Sequence, residues 1–189
     1  MSAVATLSPQ RHRLTVDQYY RMAEAGIFKE DDRVELIEGE IIDMPPIGID
    51  HAYFVNRLTS IFVQNIGHQA NVSSQNPIRL NSRSEPQPDI ALLRYREDFY
   101  RHTRPSPEDI LLLVEVSDTS LRYDMEVKLP LYARHGIPEV WIVDLEHRRV
   151  EIFRKPLDDA YLEKHCPART ETIALGGLAE CRVDLSNLF

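Results

Sequence analysis

Three carboxylates, a lysine and a histidine stand where chemistry could use them. Asp89 opens the segment PDIALL directly after Pro88. That proline lacks a backbone N–H and restricts Gln87, so strand pairing is expected to begin only after it. Asp89 then lies at a sheet end that a ligand can reach. Glu115 follows ILLLV, the longest apolar run in the chain. A charge there costs on the order of several kcal/mol unless it is paired or metal-bound. Glu35 sits in a strand arm between Val34 and Leu36, and alternation turns it to the face opposite theirs. Two adjacent strands, one beginning with Asp and the other ending in Glu, can converge their oxygens on one hard cation. Magnesium favours such a set: one or two carboxylates, a backbone carbonyl, waters and a substrate phosphate. Lys128 follows Asp124 by four residues on a helical segment, so the two share a face. Its ammonium can point back to the sheet end and stabilise charge on a phosphate or an attacking water. His51 begins an amphipathic segment after the loop PPIGID, where it can touch a phosphate or position a water.

Each residue also has an ordinary reading. A single carboxylate at a strand edge is more often solvated or salt-bridged. Lys128 and Asp124 can form a plain helical ion pair worth a few tenths of a kcal/mol. A histidine at a helix start is more often a surface residue. Tyr132, on the same stripe as Lys128, reads as packing, and Trp141 as core. The combination of Asp89, Glu115 and Lys128 is harder to dismiss than any one of them. Phosphate-loop, dinucleotide and serine-hydrolase motifs are absent from the sequence. Cys166 and Cys181 match no zinc spacing.

The elements that must position these residues are legible in outline. Thr15 and Gln18 form a capping box before VDQYYRMAEAG, a helix closed at Gly26. RVELIEGEIIDM (33–44) reads as a hairpin about Glu38-Gly39. Phe54, Leu58, Ile61, Phe62 and Ile66 recur at helical spacing over 51–66, with Asp50 as the expected N-cap. ANVSSQ and PIRLNS read as strand pieces, and DIALLR (89–94) as a short strand. Residues 95–108 read as a loop with a helical turn, and DILLLVEVS (109–117) as a central strand buried on both faces. MEVKLPLYARHG (125–136) is helical, with Pro130 marking a kink or restart. EVWIVDLEHRRVEIFRK (139–155) gives two strands about Glu146-His147, and the tail ends in a strand and a short turn. The sum is an α/β (α+β) fold, a mixed sheet flanked by helices, in a single domain over 14–189 behind a flexible arm over 1–13.

A chain of 189 residues, 43% hydrophobic and 28% charged, is expected to be a soluble globular protein. No apolar run approaches the roughly 18 residues of a membrane span, and the N-terminus lacks a secretory pattern, so a cytoplasmic, non-membrane protein is expected. The formal net charge of −8 weighs against tight stand-alone nucleic-acid binding. Basic residues are scattered, with one loose cluster from Arg94 to Arg104.

The string LLLVEVSDTSLRYDMEVKLPLYARHGIPEVWIVDL (111–145), with VELIEGEIIDMPP, His51 and PDIALL, resembles the Uma-two family of restriction-endonuclease-like proteins. The likeness runs from about residue 14 to the C-terminus. That family is placed in the PD-(D/E)XK nuclease superfamily. The resemblance implies a restriction-endonuclease-like core and a metal-dependent phosphodiesterase site. By position, Asp89 is the PD aspartate and Glu115 the acidic member of the E-x-K pair. Ser117 stands where that pair's lysine normally sits, and the family moves the lysine to the next helix, here Lys128. Glu35 matches the glutamate of the family's hairpin, and His51 the histidine after it. These positions imply magnesium, or manganese in its place, held by Asp89, Glu115 and the Val116 carbonyl. They imply a nucleic-acid substrate, DNA foremost, and leave a homodimer open. Two other readings compete: a non-catalytic interaction module on a decayed nuclease fold, and a hydrolase of small phosphodiesters.

Overall fold

The sheet is built around the most apolar strand. In the computed structural model, which describes residues 11–29, 31–186 and 188–189, β5 (Ile110–Ser117) is buried at all eight positions. The chain before it supplies α1 (Val16–Glu24), the hairpin β1 (Val34–Ile37) and β2 (Glu40–Asp43), α2 (Ile49–Ile66), β3 (Ala70–Ser74) and β4 (Ile90–Arg94). After β5 come α3 (Leu121–Tyr123), a π-helical turn (Asp124–Lys128) and α4 (Leu129–Arg134). The strands β6 (Glu139–Asp144), β7 (Arg149–Leu157), β8 (Ala160–His165), β9 (Thr172–Leu175) and β10 (Leu178–Asp184) complete the order. Six strands form one mixed sheet in the order β3-β4-β5-β6-β7-β8. Only the β5–β6 pair is parallel, and its crossover is the α3–π–α4 segment.

Both faces of the sheet are covered. On one, Val55, Leu58, Phe62 and Ile66 of α2 pack with Leu92, Val114, Val116 and Trp141, and the β9–β10 hairpin adds Ile173, Leu175 and Val183. On the other, Leu129, Leu131 and Tyr132 of α4 pack on Leu93, Leu113, Val140 and Ile142. Burial on both sides is why β5 reads as a continuous apolar run rather than an alternating one. Among the described residues, no helix is long and apolar enough to cross a membrane.

The capping box of Thr15 and Gln18 is present. The β1–β2 turn places Glu38 (φ 49°) and Gly39 (φ 79°) in the left-handed region, as a tight hairpin requires. A Cβ on Gly39 would stand 2.8 Å from the Arg13 Cβ and 2.9 Å from the Leu14 nitrogen. Of the arm expected over 1–13, positions 1–10 lie outside the described residues, and Arg13 pairs with Glu40 at 2.7 Å.

Three local expectations are corrected. Gly48, not Asp50, is the N-cap of α2, and Asp50 already lies in the first helical turn, where a carboxylate favours the helix dipole. PIRLNS is not a strand. Ile78 N–H donates to Pro86 O (3.0 Å), Arg79 to Pro105 O (2.8 Å) and Leu80 to Ser84 O (3.0 Å). Pro77, Pro86 and Pro88 remove the donors that a regular ladder would use. The tail forms two strands, β9 and β10, rather than one, and β8 adds an edge strand where none was expected.

Candidate active site

The register of β4 on β5 decides where the first two carboxylates meet. Ile90 pairs with Val114, and the same antiparallel register carried one residue further sets Asp89 opposite Glu115. Both project to the face that carries the α3–π–α4 crossover. Asp89 is fixed from two sides: Val116 N–H donates to its Oδ2 (2.8 Å), and His51 Nε2, from α2, lies 3.1 Å away. Gln75 Nε2 reaches its Oδ1 at 3.4 Å.

Glu35 arrives through a non-local contact. Glu85 N–H donates to Leu36 O (2.8 Å), which binds the hairpin to the run before Asp89. Gln87 N–H then donates to Glu35 Oε2 (3.0 Å). Lys128 closes the group, with its ammonium 3.3 Å from Glu35 Oε2 and 3.3 Å from Glu115 Oε1. Its partner is therefore not Asp124, whose carboxylate accepts from Ser117 Oγ (2.8 Å) and Ser120 Oγ (2.6 Å). The π turn sets this direction. Leu129 N–H reaches back five residues to Asp124 O, and the wider turn rotates Lys128 relative to α-helical phase. Pro130 supplies the cause, since it offers no N–H to the Glu126 carbonyl and its ring would crowd that oxygen in a regular helix.

Tyr132 is more than packing. Its hydroxyl donates to Glu115 Oε1 at 2.5 Å from a fully buried position. The Tyr123 hydroxyl stands 3.5 Å from Glu35 Oε1. A buried tyrosine hydroxyl needs a partner, and the spacing of Tyr132 from Lys128 was the signal available in the sequence. Gln75 and Gln87 carried no such signal.

Glu35, His51, Asp89, Glu115, Tyr123 and Lys128 line a cavity of about 290 Å³, behind which Tyr132 lies. Six carboxylates there, Glu35, Asp43, Asp89, Glu115, Asp118 and Asp124, face Lys128, Arg33 and His51. Burial pushes the Glu115 carboxyl well above the usual range; Lys128 and Tyr132 oppose the rise, and Asp124 and Asp89 add to it. Burial works against the Lys128 ammonium, but Glu115, Glu35, Asp124 and Asp89 outweigh it and keep the lysine protonated. The hydrogen bond to Asp89 raises His51 above its ordinary value, with burial in opposition. Hard oxygen donors with surplus negative charge fit magnesium or manganese. Among the described residues no group of three or more His, Cys, Asp or Glu side chains forms a preset cation cage. The candidate ligand set is smaller: two carboxylates and the Val116 carbonyl, which projects to the same side of β5 as the Val116 N–H.

The sequence matches the Uma2 family, described as "Putative restriction endonuclease", over residues 16–186. The chain belongs to this family. The match covers every residue of the site and both faces of the sheet. A solved structure, titled as a "putative nuclease belonging to DUF820" from Anabaena variabilis ATCC 29413, has a similar fold. It superposes with a TM-score of 0.69 over 93% of this chain and 97% of its own, at 16% identity. At that identity the likeness carries the fold alone. No curated protein matches the chain.

Proposed function

We propose that the protein is a metal-dependent endonuclease that hydrolyses nucleic-acid phosphodiester bonds, DNA foremost, at the Asp89–Glu115–Lys128 cavity. The observation that carries this reading is the seat of Lys128. A lysine absent from position 117 reaches Glu115 from the following helical segment, at 3.3 Å, while Asp89 stands across the register. Family membership supports the nuclease class.

Asp89, Glu115 and the Val116 carbonyl are the groups that would hold magnesium or manganese, which when bound lowers the pKa of a coordinated water and offsets phosphate charge. The chain's own residues do the rest. Lys128 presents a fixed ammonium to the charge that grows on the phosphate in the transition state. Glu35 orients that ammonium and is placed to accept a proton. Val116 N–H and His51 hold Asp89 in one rotamer, and Tyr132 does the same for Glu115. Preorganisation of this kind avoids reorganisation as the reaction proceeds.

Replacing Asp89 or Glu115 with Ala should abolish magnesium-dependent cleavage of plasmid or oligonucleotide while the circular dichroism spectrum keeps its shape. Magnesium at 100 times its Kd should stabilise the wild type by about 2.7 kcal/mol and the two variants far less. Cleavage that persists in the pure double variant overturns the assignment. The net charge of −8 and the small cavity favour a second reading, a hydrolase of short phosphodiesters. Activity on dinucleotides with none on oligonucleotides would select it.

A further inference from the structure

Residues 94–104 read RYREDFYRHTR, with four arginines and three aromatic rings in eleven residues. Four arginines against Glu97 and Asp98 make this stretch locally basic in a chain of net charge −8, and the proposed chemistry uses none of it. Tyr100 anchors the segment. Its buried hydroxyl donates to Arg94 O (2.8 Å), and the Arg96 guanidinium lies 4.5 Å from its ring centroid. Arg96 is forked onto Asp98 at 2.9 and 2.7 Å, and Tyr100 N–H donates to Asp98 Oδ1 at 3.3 Å. This frame holds Phe99 (φ 49°) and Tyr100 (φ 59°) together in the left-handed region, which bulky side chains rarely adopt. The outcome is a Phe99 ring that is 72% exposed. A phenyl ring turned to water by an unfavourable backbone gains nothing from packing.

Phe99, Thr103 and Arg104 form one wall of a hollow of about 300 Å³, and Ser73, Ser74 and Asn76 of the edge strand β3 and its exit form the other. The hollow adjoins the candidate active site. Ser74 Oγ donates to the Asp89 carbonyl oxygen (3.4 Å), and Gln75, the next residue, lines the catalytic cavity.

Resting on the nuclease reading above, we propose that this ridge binds unpaired nucleic acid, with a base stacked on Phe99 and a flanking phosphate met by Arg101. The strand then enters the active site along β3. Stacking on an aromatic ring is tolerant of sequence, because every base has a π-face. In a duplex those faces are already stacked, so the ridge selects single strands or single-stranded ends. The local positive charge selects a polyanion over an apolar partner, and the flat exposed ring selects a base over an acidic peptide.

The test is fluorescence anisotropy with the intact protein in chelator, which prevents metal-dependent cleavage. The probes are a labelled single-stranded oligonucleotide and a blunt duplex of equal length. Phe99→Asn removes the ring with a residue that tolerates the left-handed backbone, and it should weaken single-strand binding roughly fivefold or more. Phe99→Trp keeps a stacking face and should bind like the wild type. Arg101→Gln should weaken binding and lower the magnitude of the salt slope by about 0.7. The duplex should bind more weakly and be indifferent to Phe99. Equal affinities for wild type and Phe99→Asn, a preference for the duplex, or no single-strand binding by the wild type each overturn the proposal. A wild-type dimer that Phe99→Asn dissociates, with oligonucleotide binding intact, overturns it in favour of a second copy. The nuclease reading survives all of these, since cleavage by the wild type and its loss in Asp89→Ala are measured separately.

Discussion

An ammonium with 7% side-chain exposure, 3.3 Å from each of two buried carboxylates, is held by charge rather than by packing. Removing it leaves Glu35 and Glu115 facing each other without compensation. Lys128→Met should therefore abolish cleavage and destabilise the fold by about 3–5 kcal/mol near neutral pH. A carboxyl whose folded pKa is raised binds protons more readily folded than unfolded, so stability recovers as pH falls through that raised value. Urea midpoints measured across pH check this; a deficit that stays constant down to the ordinary carboxylate range contradicts it. His51 shifts stability in the same direction. Its pKa is raised above the ordinary 6.5 by the hydrogen bond to Asp89. Its contribution is thus fully present below 6.5 and is lost as pH rises through the folded value. NMR titration should place His51 above a free histidine in the wild type, and Asp89→Asn should bring it back down.

At the scale of elements, the π turn is the device that aims a helical lysine at Glu35 and Glu115. Ser117 occupies the strand position and donates its hydroxyl to Asp124 (2.8 Å), the first residue of that turn. Ser117→Ala should cost about 1–3 kcal/mol, because a buried carboxylate loses a donor, and should reduce cleavage by loosening the seat of Lys128. Thermal melts and single-turnover rates measure the two effects. A stability loss with an unchanged rate would show that Lys128 is held without Asp124. Much of this element was legible beforehand: the helical stripe, Pro130 as a restart, and Lys128 as the residue to watch. The π turn was not, because side-chain periodicity does not report a single wide turn. Asp50 failed as a cap for a related reason: capping depends on backbone angles, and Gly48 has the extended conformation there (φ −72°, ψ 161°).

Across the whole molecule, another buried carboxylate ties distant parts together without entering the chemistry. Glu139 of β6 accepts from Trp141 Nε1 (2.6 Å), from Arg154 Nε on β7 (2.8 Å) and from Gly176 N–H in the β9–β10 turn (2.7 Å). A Cβ on Gly176 would stand 2.5 Å from Glu139 Oε2, so a side chain there would displace that carboxylate. Glu139→Ala leaves Arg154 without its carboxylate partner and should destabilise by about 3–5 kcal/mol. Tryptophan fluorescence should report early loss of the C-terminal hairpin in urea, with cleavage per folded molecule unchanged. A fall in that specific activity would instead couple the hairpin to the site.

The amino-acid sequence by itself determined the central strand and the strands β3, β4, β6 and β7 around it, the flanking helices and the candidate residues Asp89, Glu115, Lys128, Glu35 and His51. Apolar runs, capping residues and prolines act locally, and their effects are written in spacing. Only the tertiary structure decided which side chains meet. Glu35 reaches the site through the Glu85–Leu36 bridge, Tyr132 by burial against Glu115, and Asp89 faces Glu115 through a strand register. Such pairings bring together residues far apart in sequence. Their energetics depend on the water excluded around them, which no local pattern encodes.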